Sequence, residues 1–291
     1  MTEWKFAFAT SPAPSVFGPL LFAGDVATAI GTAAELGFDG IEVSLRSVTE
    51  LDAGWLEDEL TRTGLQLSAI ASGRMFLEDG LSLTAPDETV RRHALERLFD
   101  LTAFAAHFSA LIIVGLARGA RSEAGDGSRE MRLLAEGVRE CADHAAALGT
   151  GVVVEAINRY ETRFLNTAQQ TLELLDAVGR PNVALLLDVF HMNIEEVTMA
   201  DAVRAAGSQL GYLHVVDSNR RAPGLGHVEY GSIFSALEAV DYRGWVSAEI
   251  LPLPDDRSAA GQARAFMRDR VAARGLGSGE VRCLDNEGAD T

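Results

Sequence analysis

The sequence predicts an α/β protein, a (β/α)8 TIM barrel in a single domain. Two observations predict this fold: a unit of one apolar strand and one helix repeats eight times, and 47% of the 291 residues are hydrophobic. A chain of this length is normal for one α/β barrel and has enough apolar residues for a large core. Eight parallel strands close most economically into a barrel, because no strand is then left at an edge.

The eight predicted strands are short and apolar, and they are rich in leucine or β-branched residues. This composition is typical of parallel strands that helices cover on both faces. In chain order they are residues 5–10, 40–45, 65–71, 110–116, 151–157, 183–190, 210–217 and 245–251.

The segments between the strands have apolar residues three and four positions apart, which predicts helices. Examples are "DVATAIGTAAELGF" and "SREMRLLAEGVRECADHAAALG". Asp87 and Thr167 stand where N-caps are expected, and Gly149, Gly179 and Gly244 precede the next strand. A doubly wound open sheet is the competing arrangement, but no GxGxxG follows the first strand.

We expect residues 1–275 to form the barrel and the glycine-rich, acidic residues 276–291 to form a flexible tail. Two long connections, residues 11–24 and 117–129, follow strands one and four. In a barrel both lie on the face formed by the carboxyl ends of the strands, where functional loops gather.

The composition argues against several classes of protein. The chain has 42 acidic and 25 basic residues, so its formal net charge of −17 disfavours nucleic acids and acidic membrane surfaces as partners. Lys5, at the start of the first strand, is the only lysine. Schiff-base enzymes and Walker A loops need a lysine at the site, so these classes do not fit.

The sequence also predicts a cytoplasmic protein. Cys141 and Cys283 are the only cysteines, so there is no disulfide framework and no CxxC metal site. The start "MTEWKFAFAT" lacks the basic segment and apolar run of an export signal. The longest apolar stretch, around residues 101–116, is interrupted by His107 and Ser109, so we expect no membrane span.

Four polar residues lie near the carboxyl ends of predicted strands five to eight: Glu155, Asp188, His214 and Glu249. Consecutive strands bring them around one point, where three carboxylates repel one another unless a cation is present. Each residue alone fits a helix cap, an arginine partner or a core histidine, but the set favours a metal site. Oxygen ligands dominate, so we predict one divalent ion, Mn²⁺, Mg²⁺ or Co²⁺, rather than a structural zinc.

Further polar residues follow these four in the adjoining loops. We predict that Glu161, His191 and Arg220 face the mouth of the barrel and contact substrate oxygens or orient the ligands. Three other residues fit either such a role or the capping of loops: Asn158, Asn193 and His227.

Segments around these residues resemble the xylose isomerase-like TIM barrels, and among them the ketose 3-epimerases of the D-tagatose 3-epimerase type. The matching segments are "VEAINRYETRFLNT", "LLLDVFHMNIEE", "HVVDSNRRAPGLGH" and "SAEILPLP". The resemblance covers most of the chain and is strongest over residues 150–254, where the order and spacing of the segments both agree.

The resemblance implies one divalent metal ion, commonly manganese, bound by the four strand-end residues. It also implies that Glu155 and Glu249 form the acid/base pair, and that Glu161, His191 and Arg220 bind substrate oxygens. Assembly into homodimers or homotetramers is a further implication.

The loops after strands one and four depart from this family. They lack the aromatic residues that free-sugar epimerases place over the substrate. Instead we predict that Arg118 and Arg121 of the second loop stand at the mouth of the barrel and bind substrate. A bidentate arginine suits a carboxylate or a phosphate, although both could be solvated loop residues. A keto-acid sugar, as in the related 5-keto-L-gluconate epimerases, or a sugar phosphate is therefore as plausible a substrate as a neutral ketose.

The resulting hypothesis is a metal-dependent epimerase that inverts C3 of a ketose or keto-acid sugar. One glutamate removes the C3 proton to give a cis-enediolate, and the other returns a proton on the opposite face. His191 and Arg220 stabilise the developing negative charge.

Other functions remain open at this point. An aldose–ketose isomerase of sugars or sugar phosphates could use the same metal site, as could a lyase or dehydratase. A non-catalytic metal- or sugar-binding barrel is a different class. A DNA repair enzyme like endonuclease IV fits poorly, because such enzymes gather three zinc ions with more histidines than this acidic chain offers.

Overall fold

The computed structural model describes residues 4–14, 18–119 and 127–274 of the chain. Eight parallel strands pair in sequence order, and the eighth pairs with the first, so the sheet closes into a barrel. The predicted fold is confirmed. The strands are β1 Lys5–Thr10, β2 Gly40–Ser44, β3 Gln66–Ala71, β4 Leu111–Val114, β5 Val152–Glu155, β6 Val183–Asp188, β7 Leu210–Val215 and β8 Trp245–Ala248.

Helices connect the strands and surround the barrel. They are α1 Val26–Leu36, α2 Ala53–Thr63, α3 Gly73–Asp79, α4 Glu88–His107, α5 Ser128–Ala147, α6 Ala168–Val178, α7 Val189–Glu195, α8 Met199–Ala206, α9 Tyr230–Ala239 and α10 Asp256–Arg274. Short 3-10 turns cover Val48–Glu50, Leu116–Arg118 and Gly207–Gln209. The two predicted N-caps are confirmed: Asp87 accepts the Thr89 N–H, and Thr167 forms a capping box with Gln170.

The predicted strand starts agree with the structure to within one residue, but several strands end earlier than predicted. The largest correction concerns β6, which ends at Asp188 because α7 begins at Val189. The Asp188 carboxylate caps this helix by accepting the backbone N–H of His191 at 3.0 Å. The predicted extension of the strand through Phe190 is therefore wrong, and His191 lies on a helix rather than in a loop.

Successive side chains of each strand point alternately into and out of the barrel, which divides the core into two layers. Ala69, Ile113, Val153, Leu186 and Tyr212 pack together inside the barrel, and a larger cluster fills the space between strands and helices. The residues just before the four predicted ligands all belong to the outer cluster: Val154, Leu187, Leu213 and Ala248. Because side chains alternate, the residue that follows each of these four projects inward.

Some predictions lie outside the described residues, namely the tail of residues 276–291, Cys283 and Arg121. The same holds for residues 120–126 of the loop after β4. None of the helices in the described part of the chain has the length and hydropathy that a membrane-spanning helix requires.

Candidate metal centre

The structure brings the four predicted ligands together at the carboxyl end of the barrel. Glu155 ends β5, Asp188 ends β6 and pairs in register with His214 of β7, and Glu249 directly follows β8. One possible ligand atom from each residue lies within 4.8 Å of the corresponding atoms of the others. All four side chains are buried, so their charges are poorly screened by water.

The distances centre on one nitrogen of His214. Its Nδ1 lies 3.5 Å from Asp188 Oδ2, 3.8 Å from Glu155 Oε1 and 4.0 Å from Glu249 Oε2. Among the described residues, neither this Nδ1 nor Asp188 Oδ2 has a hydrogen-bond partner, although both atoms are buried. Buried polar atoms without partners are costly, and a divalent cation between them would satisfy both. Three carboxylates and one imidazole therefore fit a hard or borderline divalent ion.

The pKa shifts show how the centre balances its charge without a cation. Burial, together with the charges of Glu155 and Asp188, raises the pKa of Glu249 well above its ordinary value. Burial lowers the pKa of His214, but the charge of Glu42 and the nearby carboxylates of Asp188 and Glu155 outweigh it, so the net shift is well upward. Extra protons thus offset the negative charge, and a bound cation would displace them.

Glu42 of β2 completes the centre, and sequence analysis missed it. The buried Glu42 Oε2 lies 3.0 Å from His214 Nε2 and accepts a hydrogen bond from the Tyr212 hydroxyl at 3.0 Å. The Tyr212 hydroxyl in turn lies 2.7 Å from Ser68 Oγ. When Nε2–H donates to Glu42, the lone pair of Nδ1 faces the centre, which is the tautomer that a metal ligand needs. Glu42 sits in an apolar strand just as Asp188 does, so the signal was present in "GIEVSL".

Replacement of Glu42 is expected to weaken metal binding. Glu42→Gln keeps a hydrogen-bond acceptor but loses the charge, and Glu42→Ala loses both, so the Kd for Mn²⁺ should rise by about tenfold and up to roughly a hundredfold, respectively. Equilibrium dialysis measures the Kd, and circular dichroism checks that the fold survives. Unchanged affinity in both variants would show that Glu42 does not orient His214.

His191 and Glu161 are joined by Asn158 beside the centre. The Asn158 side-chain amide donates to His191 Nδ1 at 2.7 Å and to Glu161 Oε1 at 3.1 Å. The proton of a neutral His191 is therefore on Nε2, which lies 3.6 Å from Glu155 Oε1. Asn158 was one of three residues expected either to face the barrel mouth or to cap a loop, and these hydrogen bonds place it beside the centre. Asn193, another of the three, lies half-buried on α7.

Arg220 extends this group at the edge of the site. Its Nη2 lies 3.1 Å from Glu161 Oε1, and its guanidinium carbon lies 4.5 Å from the centre of the Phe190 ring. The ion pair and the contact with the aromatic face together hold the guanidinium beside the centre.

Asp217 organises the loop that carries Arg220, and sequence analysis missed this residue too. Its buried carboxylate accepts the backbone N–H groups of Ser218, Gly224 and Val228. Burial raises the pKa of Asp217, but these hydrogen bonds outweigh burial and lower it. His227 is exposed in the same loop and pairs through Nδ1 with Ser218 Oγ at 3.0 Å, so its observed contact is within the loop.

Arg118 does not stand at the mouth of the barrel, so that prediction is wrong. Its side chain is fully buried, and its guanidinium donates to the backbone carbonyls of Gly115, Glu155 and Leu165. Burial lowers the pKa of Arg118 to about 10, although the charges of Glu155 and Glu161 act in the opposite direction and raise it. Arg118 thus ties the turn after β4 to β5 and the loop that follows it, through one hydrogen bond from each nitrogen of its guanidinium.

A pocket opens beside the centre and encloses about 500 Å³, including the solvent at its mouth. Its polar lining comes from Glu155, Glu161, His191, His214 and Glu249, together with Ser44 and Arg74, and the remaining lining is mostly apolar. Buried titratable groups that converge in such a pocket are typical of a binding or catalytic site.

Comparison with known proteins finds similarity to one family of TIM barrels and to sugar epimerases. The sequence model of the family described as xylose isomerase-like TIM barrel matches residues 30–270. An L-ribulose 3-epimerase from Methylomonas sp. (strain DH-1) is 35% identical over 225 residues, which cover 76% of this chain and 77% of that protein. A D-psicose 3-epimerase from Agrobacterium fabrum (strain C58 / ATCC 33970) is 33% identical over 227 residues, or 74% and 76% of the two chains. A solved structure of L-ribulose 3-epimerase superposes with a TM-score of 0.80 at 26% identity, covering 97% of this chain and 100% of that one.

Proposed function

Because the chain belongs to the xylose isomerase-like TIM barrel family, we propose that it is a metal-dependent epimerase that inverts C3 of a ketose. The convergence of Glu155, Asp188, His214 and Glu249 on one buried point is the observation that carries this proposal. The relatives named L-ribulose 3-epimerase and D-psicose 3-epimerase support the choice of reaction.

The four converging residues would hold one divalent cation, with Mn²⁺ the first choice and Mg²⁺ or Co²⁺ the alternatives. When bound, the cation supplies Lewis-acid polarisation of the C2 carbonyl, which acidifies the proton on C3. The burial of the four side chains favours this effect, because water competes little for the charges.

Glu155 and Glu249 are the proposed acid/base pair. They reach the centre from β5 and β8, so their carboxylates approach it from different strands. One glutamate takes the C3 proton, a cis-enediolate forms, and the other glutamate delivers a proton to the opposite face of C3. Return of the proton from the opposite side is what inverts the configuration.

His191, Glu161 and Arg220 are proposed to hold the substrate oxygens near the reacting carbons. The hydrogen bond from Asn158 leaves the proton of His191 on Nε2, where it can donate to an oxygen that gains negative charge. The ion pair between Arg220 and Glu161 places a donor and an acceptor side by side for neighbouring hydroxyl groups.

The contacts of Arg118 and Arg74 favour a neutral ketose over a keto-acid sugar or a sugar phosphate. Arg118 is buried and directs its donors to backbone carbonyls. Arg74 lines the pocket, but its guanidinium is engaged by Glu50 and Glu78. A substrate anion would have to displace these protein acceptors, which a neutral sugar does not require.

Incubation of the Mn²⁺-loaded protein with neutral ketoses in deuterated water tests the proposal. Proton NMR should show deuterium at C3 together with formation of the C3 epimer, and ketose 6-phosphates should react more slowly. Label at C1 or C2 would indicate an aldose–ketose isomerase instead, and the absence of label would favour a binding protein.

A further inference from the structure

An ion pair beside the candidate metal centre joins the loop after β5, residues 156–167, to the helix α7. The Arg159 guanidinium donates through Nε to both carboxylate oxygens of Glu195, at 2.9 and 3.0 Å, and through Nη2 to Glu195 Oε2 at 2.6 Å. The backbone N–H of Arg159 also donates to Glu195 Oε1 at 2.6 Å. Neither residue belongs to the candidate metal ligands or to the lining of the pocket.

The burial of Glu195 makes this pair specific in its geometry. The Glu195 side chain is only 3% exposed, whereas that of Arg159 is 60% exposed. Hydrogen bonds from Arg159 lower the pKa of Glu195, although burial acts in the opposite direction and raises it. A carboxylate that accepts several charge-assisted hydrogen bonds is held in one orientation, and the loop that donates them is held with it.

The pair lies one helical turn from a second contact between the same two segments. Asn158, the residue before Arg159, donates to His191 Nδ1 at 2.7 Å, and His191 stands four residues before Glu195 on α7. Side chains four residues apart share one face of a helix and lie about 6 Å apart along its axis. A single hydrogen bond would let the loop pivot about Asn158, whereas two contacts a turn apart fix its orientation on α7.

The orientation of this loop also sets the position of Glu161. The backbone N–H groups of Glu161 and Thr162 donate to the Asn158 carbonyl at 3.1 Å, and the Asn158 side-chain amide donates to Glu161 Oε1 at 3.1 Å. Glu161 Oε1 in turn lies 3.1 Å from Arg220 Nη2. A shift of Asn158 would therefore displace Glu161 and His191 relative to each other.

We infer that Arg159 and Glu195 are positioning residues, which fix the relative placement of the side chains that hold the substrate oxygens. This role rests on the proposed function of His191, Glu161 and Arg220, although the pair itself does not contact the substrate. The candidate metal ligands belong to strands β5–β7 or directly follow β8, so their placement depends on the barrel. Loss of the pair should therefore misplace the substrate groups and leave metal binding intact.

Arg159→Met tests this role, because methionine keeps much of the side-chain stem and removes every guanidinium donor. For a neutral ketose that reacts, kcat/KM for C3 epimerisation should fall by about tenfold to a hundredfold, while the Kd for Mn²⁺ stays unchanged. Glu195→Gln removes the charge from the other side and should also lower kcat/KM. Arg180→Met is the matched control, since Arg180 forms a similar pair with Asp143 of α5 at the amino end of the barrel. Equal kcat/KM in Arg159→Met, Arg180→Met and the wild type would overturn the inference.

A double-mutant cycle with Asn158→Ala separates positioning from a general loss of stability. If the pair acts through the contact between Asn158 and His191, Arg159→Met should have little further effect on kcat/KM once that contact is absent. An equal fold-loss from Arg159→Met with Asn158 and with Ala at position 158 would overturn the inference.

Hydrogen exchange followed by mass spectrometry supplies a readout that needs no substrate. The N–H groups of Tyr160, Glu161 and Thr162 all donate to Asn158, so this part of the loop should exchange at least about threefold faster in Arg159→Met than in the wild type. Unchanged exchange would overturn the inference while the proposed epimerase stands. Faster loop exchange in a protein whose wild type shows no C3 exchange with any ketose would overturn the proposed function, and would leave the pair with a structural role only.

Discussion

Replacing Glu155 or Glu249 with glutamine is expected to lower kcat for inversion at C3 by roughly 10²- to 10⁴-fold. Glutamine keeps the size of the side chain and one oxygen that can face the centre, but it cannot accept the C3 proton as a base. Epimer formation is measured by NMR in deuterated water with saturating Mn²⁺. Because the two glutamates serve opposite faces, any remaining exchange at C3 should be confined to one epimer.

Glu173→Gln provides the matched control for these variants, since Glu173 is exposed on α6. This variant should retain full activity, and circular dichroism should show an intact fold for all three proteins. Inversion at the wild-type rate in either Glu155→Gln or Glu249→Gln would contradict the two-glutamate mechanism.

Removal of the divalent cation is expected to abolish activity and to lower the thermal midpoint. A metal ion present at 100 times its Kd stabilises the folded state by about 2.7 kcal/mol. For a domain of this size, that amounts to roughly 4–5 °C in Tm. Differential scanning fluorimetry of the chelated protein, with and without added Mn²⁺, measures the shift.

Asp188→Ala should lose this metal-dependent shift, because Asp188 Oδ2 is one of the two buried atoms that lack a hydrogen-bond partner. Asp201→Ala, which changes an exposed acid on α8, should keep it. A Tm that rises equally with Mn²⁺ in both variants would place the metal elsewhere on the protein.

The four candidate ligands could be predicted because their signal is local. An acid or a histidine near the end of an apolar strand is costly to bury, and the order of the strands then places such residues together. Glu42 carries the same signal in β2, but its partner His214 lies 172 residues away. Only the closed barrel shows that this carboxylate contacts His214 Nε2, on the side of the ring away from the candidate metal centre.

Arg118 shows where local patterns fail. An arginine in a long loop after β4 suggests an exposed position at the barrel mouth. In the structure, the 3-10 turn Leu116–Arg118 leaves the side chain fully buried, and its acceptors on Glu155 and Leu165 are 37 and 47 residues away. The predicted end of β6 is wrong for a related reason, since Asp188 caps a helix whose first residues are as apolar as those of a strand.

Metal content after equilibrium dialysis against Mn²⁺ tests most directly whether Glu155, Asp188, His214 and Glu249 share one cation. Mass spectrometry of the dialysed proteins should find one manganese ion per wild-type chain and a substoichiometric amount in Asp188→Ala at the same free Mn²⁺. A wild-type chain without manganese, or an Asp188→Ala variant that binds as much as the wild type, would contradict the assignment of this centre.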